Sequence, residues 1–229
     1  MSILLDDGLA RRLEERLSLV LDSQRTGRLS LKGQAEISRI EGALAGRTPR
    51  PPQVVLMAGM PGAGKTTLAR ALVAAGYERL CPDEEMFRRY GRYGQDFPRG
   101  EFRVREAPVL EDIQAELRIL VEAGRNVVVD HGFWTPEERN DWRDAVQEAG
   151  GVPVLVYLPV PHSVRWSRIQ ERNTNADVDA NAIYFSEEDL VRFAGRFYPP
   201  ADEDEPHLVY DGRPDRVLAT LELNEPSHD

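Results

Sequence analysis

Lysine is nearly absent from this chain. Of its 29 basic residues, 27 are arginine, and only Lys32 and Lys65 are lysine. Cysteine is scarcer still: Cys81 alone excludes an internal disulfide framework and a multi-cysteine metal site, and a reducing, cytoplasmic setting is the expectation. No run of about 18 apolar residues occurs, so no membrane partner or spanning helix is expected. The first residues, Met1 to Asp7, hold neither a basic region nor a long apolar stretch, both of which a secretory signal requires. Positive charge is in deficit, with 39 acidic residues against 29 basic and a net charge of -10. That balance argues against a general nucleic-acid or anionic-membrane binder, although a local basic groove would survive the average.

What is present describes a globular protein. The 229 residues, 41% hydrophobic and 30% charged, suit one domain with a small attachment. Residues 1–50 read as a helical N-terminal extension, with Leu9, Leu13, Leu17 and Val20 on one face and a weaker pattern through Ile37, Ile40 and Leu44. Prolines 49, 51 and 52 close it as a linker. Strands and helices then alternate over residues 53–223, and 224–229 read as a flexible tail. Strands are expected at 53–58, 77–81, 126–130, 152–158 and 207–210, with helices at 65–75, 108–123, 136–149, 162–172, 186–197 and 215–223. Continuous apolar strands between helices indicate a parallel sheet covered on both faces, an α/β three-layer sandwich.

The first strand runs directly into Gly59, Met60, Pro61, Gly62, Ala63, Gly64, Lys65, Thr66 and Thr67. This is G-x-x-x-x-G-K-T, the phosphate-binding loop, in its required place between strand and helix. Glycines let the backbone wrap a polyphosphate with its N–H groups inward, and the helix N-terminus adds partial positive charge. Lys65 reaches the β and γ phosphates, and the Thr66 hydroxyl can ligate Mg²⁺. Three classes share such a loop. A guanine-nucleotide switch needs N-K-x-D, which neither lysine offers. A remodelling ATPase needs a larger lid domain, and His131-Gly132 stands where its hydrolytic glutamate would follow the third strand. A small kinase needs an acceptor pocket, a base and arginines over the phosphates.

Candidates for each exist. Arg165, Arg168 and Arg172 share one face of the helix after strand four, where guanidinium groups could clasp a transferring phosphoryl group, or simply form a solvated stripe. Asp83 and Asp130 end strands two and three, at the carboxyl edge where a parallel sheet binds its ligand. A carboxylate there can take the acceptor's proton, hold the metal or its waters, or serve only as a turn residue. Residues 86–105 interleave aromatics (Phe87, Tyr90, Tyr93, Phe97, Phe102) with arginines. That wall could stack a ring-bearing acceptor or single-stranded nucleic acid, or could be core plugs beneath a solvated surface. His131, Phe133 and Trp134 are expected to line the same crevice.

The loop Gly59–Thr67, the Asp83 unit with Arg88 five residues on, the Asp130 unit, and Arg168 with Arg172-Asn173 together resemble the P-loop kinase group. That group includes chloramphenicol phosphotransferase, zeta toxins, tunicamycin-resistance-like proteins and polynucleotide 5′-kinase domains, and residues 193–200 resemble its AAA-type ATP-binding members. The resemblance covers residues 53–223 and implies a five-stranded sheet of order 2-3-1-4-5. It implies Asp83 as the base, Arg88 as a contact to acceptor or phosphates, Arg168 and Arg172 as lid arginines, and Asp130 on the metal or the acceptor. His131-Gly-Phe-Trp134 is bulkier than the group's pattern, and the first fifty residues have no counterpart in it.

The function expected is transfer of the γ-phosphate of ATP or GTP, with Mg²⁺, to a hydroxyl of a small molecule such as a nucleoside-type metabolite or antibiotic. Asp83, Arg88, Asp130, His131 and Trp134 would contact that substrate, and Thr66 and Asp130 the metal. The alternatives are a polynucleotide 5′-hydroxyl kinase, or a nucleotide-binding regulatory or toxin-like module that signals through residues 1–50.

Overall fold

The computed structural model describes residues 51–174, 184–201 and 205–223, together with residues 11, 14–18, 37 and 40. Residues 14–18 are helical. The remainder of the extension expected over 1–50, and the tail expected at 224–229, lie outside the described residues.

Five strands form one parallel sheet: β1 (Gln53–Ala58), β2 (Glu78–Leu80), β3 (Val127–Val129), β4 (Val152–Tyr157) and β5 (Leu208–Val209). Their order is β2-β3-β1-β4-β5, as expected. β1 lies at the centre, pairing Val54–Leu56 with Val127–Val129 on one side and all six of its residues with Val152–Tyr157 on the other. Strand side chains alternate between faces, so β1 feeds two cores. Val54, Leu56 and Ala58 point to one layer, built by α2 (Pro82–Tyr90), α3 (Phe102–Glu122) and α4 (Pro136–Glu148). Val55 and Met57 point to the other, built by α1 (Lys65–Ala74) and α7 (Pro214–Leu223). Burial on both faces explains why β1 and β3 read as unbroken apolar runs. Each fully buried valine, leucine or phenylalanine contributes about 1.5–3 kcal/mol against staying in water. The remaining helices, α5 (His162–Thr174) and α6 (Glu187–Ala194), follow β4. No helix among the described residues is long and apolar enough to cross a membrane.

The structure departs from the sequence expectation in three places. No helix is expected between the second strand and Pro108, yet Pro82–Tyr90 forms α2, with Pro82 at its first turn, where the missing N–H costs nothing. The next helix was expected to begin at Pro108 but begins at Phe102, with Pro108 inside it. Val104 and Pro108 both face solvent, so water can take the Val104 carbonyl that the proline leaves without a donor. Finally, Phe133 does not line a crevice. It is fully buried in the core against Trp142, with ring centroids 5.3 Å apart.

The acidic stretch after Pro199 was read as a plain loop, but Glu205 anchors it. Arg139 on α4 is 1% exposed, and its Nε and Nη2 each donate to Glu205 at 2.7 Å. Arg139 Nη1 donates to the carbonyls of Phe133 (3.3 Å) and Tyr198 (3.0 Å), and Arg143 adds a 2.6 Å bond to Glu205. Removing one partner from a buried pair strands a charge, so Glu205→Ala should cost about 3–5 kcal/mol. Arg139→Met combined with Glu205→Leu should cost clearly less. Denaturant unfolding of both variants checks this; equal losses would mean that the pairing itself is unimportant.

Candidate active site

The phosphate loop begins where β1 emerges from the sheet. Gly62 has φ +79, and a Cβ there would stand 2.8 Å from the Arg165 carbonyl, so both conformation and space demand glycine. Gly64 caps α1 with no side-chain hydrogen bond, which leaves the helix's first N–H groups for a ligand at the loop's mouth. Lys65 folds back, its Nζ donating to the Gly59 and Met60 carbonyls at 3.1 and 3.2 Å. Burial lowers its pKa, while the charges of Asp130 and Asp83 oppose that shift.

The ends of the neighbouring strands close over this loop. Phe133 N–H donates to the Met57 carbonyl at 3.0 Å, drawing the β3–α4 connection across the end of β1. Gly132 permits the approach, since a Cβ there would lie 2.7 Å from the Gly59 carbonyl. Asp130, 4% exposed, comes to rest with Oδ1 3.4 Å from the Thr66 hydroxyl, which donates to it. A hydroxyl and a carboxylate oxygen side by side suit Mg²⁺, which takes few protein ligands and keeps several waters. Among the described residues no cluster of three histidine, cysteine or acidic side chains forms a separate metal cage.

Asp83 stands in the first turn of α2 and accepts no hydrogen bond from the described residues. Burial raises its pKa, against the lowering effect of the His131, Lys65 and Arg172 charges. His131 bonds through Nε2 to Glu138 at 3.1 Å, and Glu138 also accepts the Trp134 N–H at 2.9 Å. Burial disfavours the imidazolium, but Glu138, Glu106 and Asp83 outweigh it and raise the His131 pKa. Glu106, on α3, is pushed up to about 7 by burial, with Asp83 and Glu138 adding to the rise.

Two arginines reach the site from α5. Arg168 Nη1 donates to the Gly62 and Ala63 carbonyls at 3.1 and 3.4 Å, so it lies on the phosphate loop itself. The Arg172 guanidinium lies 5.6 Å from the centre of the Phe185 ring, and its charge acts on both Lys65 and Asp83. Arg165 shares their helical face but is buried, donating to the Val160 carbonyl at 3.0 Å.

The structure therefore brings together Lys65, Thr66, Asp83, Asp130, His131, Arg168 and Arg172. It leaves out Arg88, expected at the acceptor. Arg88 is a surface side chain, 70% exposed and held by Glu85 at 2.6 Å. Trp134 lies at the margin, tilted against Phe193 with centroids 5.2 Å apart. The aromatic wall resolves into packing: Tyr93 sits edge-on to Phe102 and Phe97 inclines to both Tyr90 and Tyr93. Three functional candidates escaped the sequence reading, namely Arg79, Glu106 and Glu138. Thr135-x-x-Glu138 was the available signal for Glu138, because Thr135 caps α4 by accepting the Glu138 N–H at 3.2 Å.

The chain belongs to a family described as AAA domain, whose profile matches residues 54–200. No curated protein matches it. Among solved structures, a protein from Chloroflexus aurantiacus provisionally classed as a kinase is 19% identical with a TM-score of 0.62, over 77% of this chain and 100% of that one. The Mycobacterium tuberculosis APS kinase CysC, in complex with AMPPNP and APS, is 17% identical with a TM-score of 0.51, over 78% of this chain and 100% of that one. A chain of the Pnkp1/Rnl/Hen1 RNA repair complex is 17% identical with a TM-score of 0.53, but the match spans 65% of this chain and only 45% of that one. At such identities the likeness is one of fold, and the fold is the α/β sandwich of the P-loop NTPases.

Glu106 makes the site's protonation measurable. A carboxyl raised from 4.5 to about 7 binds protons preferentially in the native state, so its contribution to stability is lost as pH rises through that window. Glu106→Gln removes that loss. Its thermal midpoint should gain on the parent's as pH rises through the same interval, whereas a gap independent of pH would contradict the burial of Glu106.

Proposed function

We propose that this chain is a phosphotransferase that moves the γ-phosphoryl group of ATP or GTP, with Mg²⁺, to a hydroxyl of a small molecule. The observation that carries the reading is Asp83. It is a carboxylate with no hydrogen bond from the described residues, its pKa raised by burial, within charge range of Lys65 and Arg172. Such a group is suited to orient an acceptor hydroxyl and take its proton as the oxygen attacks the γ-phosphorus. The bond from that phosphorus to the β–γ bridging oxygen then breaks, and the nucleoside diphosphate leaves. Lys65 and the α1 N-terminus bind the β and γ phosphates, and Arg168 and Arg172 close on the transferred group. Mg²⁺, held by Thr66 with Asp130 beside it, would neutralise phosphate charge.

The acceptor's chemistry follows from what surrounds Asp83. Glu106 and His131 interact electrostatically with Asp83, Glu138 stands behind them on His131, and the cations Lys65 and Arg172 act on Asp83 from the phosphate side, whereas Arg88 and Arg89 are both bound to Glu85 and Arg105 to Glu101. That environment favours an uncharged or cationic hydroxyl compound over an anionic one. A nucleic-acid 5′ end would bring phosphates toward these carboxylates.

Incubation with γ-labelled ATP and GTP against polyols, amino alcohols, nucleosides, antibiotics and a 5′-hydroxyl oligonucleotide tests the reading directly. The expected product is a phosphorylated neutral or cationic small molecule. Asp83→Asn should lower turnover by about 10²–10⁴-fold with nucleotide affinity retained. Undiminished turnover in that variant would move the base to another residue, and label on the oligonucleotide alone would move the acceptor to nucleic acid.

A further inference from the structure

Arg79 stands on β2 beside the site and takes no part in the transfer chemistry outlined above. Its Nε and Nη2 donate to one oxygen of Asp130, Oδ2, at 3.0 and 2.6 Å, and its Nη1 donates to Glu84 at 2.7 Å. We propose that Arg79 is a positioning residue for the divalent cation, clamping Asp130 so that Oδ1 alone is presented beside the Thr66 hydroxyl. The inference rests on the phosphotransferase reading, because the cation in question is the one that accompanies the nucleotide.

Three features support the clamp. The Asp130 backbone is fixed to the same strand, its N–H donating to the Leu80 carbonyl at 2.8 Å, so backbone and side chain are both held by β2. Glu84 restrains the guanidinium from its other edge, which fixes the fork in its plane. The Arg79 side chain is 18% exposed and that of Asp130 only 3%, so little water competes for either partner of the pair.

The clamp also protects Lys65. Asp130 is the charge that acts most strongly on the lysine. An Asp130 carboxylate freed from Arg79 would be an uncompensated buried anion, able to rotate toward the Lys65 ammonium and hold it away from the phosphates. With Oδ2 satisfied by the guanidinium, Oδ1 keeps a fixed direction toward the place where Thr66 would share a hydrated cation. A lysine at position 79 could supply charge but not the two-point grip on one oxygen.

The test uses the full chain with ADP as the probe nucleotide. Metal affinity is read from Mn²⁺ paramagnetic resonance and from the Mg²⁺ dependence of ADP binding by calorimetry, neither of which requires turnover. Arg79→Met should weaken metal binding about 10–100-fold, the usual effect of losing a ligand's supporting contact, while ADP affinity without metal stays near the parental value. Arg79→Lys should recover little of it. Unchanged metal affinity in Arg79→Met overturns the proposal, and full rescue by lysine overturns the clamp in favour of simple charge. Should Arg79→Met lose its native circular dichroism, Glu84→Gln decides instead. It should give a smaller loss of metal affinity by releasing the outer edge of the fork, and no change there counts against the clamp. A parent protein that binds ADP and metal while its variants match it refutes only the role of Arg79. A parent that binds neither refutes the phosphotransferase reading and the inference with it.

Discussion

Charge buried at the carboxyl edge of a parallel sheet has to be compensated locally, and the site follows from that constraint. Lys65, Asp130, Arg79 and Asp83 are crowded where β1, β2 and β3 end, in a setting where an isolated ion would be expensive. Three of them are satisfied within the protein. Arg79 neutralises Asp130, Asp130 bears on Lys65, and Lys65 spends its donors on the carbonyls of its own loop. Asp83 accepts no hydrogen bond among the described residues. A polyphosphate entering the loop would give Lys65 a better partner than two carbonyls, and an acceptor hydroxyl would give Asp83 the donor it lacks. The ligands thus complete a network that the chain alone leaves unfinished.

The centre of this arrangement was legible from residue order alone. The β1–loop–α1 unit is written in consecutive residues, so local geometry and chemistry coincide there. Asp83 and Asp130 were legible because the end of a strand is a positional rule, and the sheet order 2-3-1-4-5 followed from the resemblance. What stayed hidden depended on partners far apart in the chain. Arg79 reads as one more arginine among 27 until β2 and β3 are paired, because its partner Asp130 is 51 residues away. Glu106 was lost through a boundary error: with the helix taken to begin at Pro108, position 106 fell in a loop instead of facing the site from α3. Arg139 and Glu205 are 66 residues apart, and nothing in the residue order pairs them.

That same pair bears on how the site is enclosed. Glu205 fixes the chain shortly before β5, and Arg139 also takes the carbonyls of Phe133 and Tyr198. The Tyr198 N–H donates to the Trp134 carbonyl at 2.9 Å, and Trp134 leans on Phe193 at the end of α6. One buried guanidinium therefore ties together the β3–α4 connection, the segment after α6 and the approach to β5. These contacts build a rigid wall beside the β3–α4 connection from residues that lie far apart in the sequence. If the acceptor proposed above binds against that wall, a surface fixed in this way would favour one shape over adaptable recognition.

The arginine-rich composition would by itself suggest a cleft that is cationic throughout, but several of these arginines are already committed to carboxylates. On α2 and α3, Arg88, Arg89 and Arg105 are committed to carboxylates three or four residues away or across to Asp112, the ordinary pairing of exposed helical faces. Asp83, by contrast, shares its surroundings with Glu106 and with a His131 that is hydrogen-bonded to Glu138. Positive charge is concentrated instead on the phosphate side, in Lys65, Arg168 and Arg172. A kinase must attract a polyanion at one end of its cleft without letting that same field capture the acceptor in the wrong place. For the phosphotransfer proposed above, a cleft that is cationic at the phosphate loop and bears Glu106 and Glu138 beyond Asp83 would serve both ends with one set of strand ends.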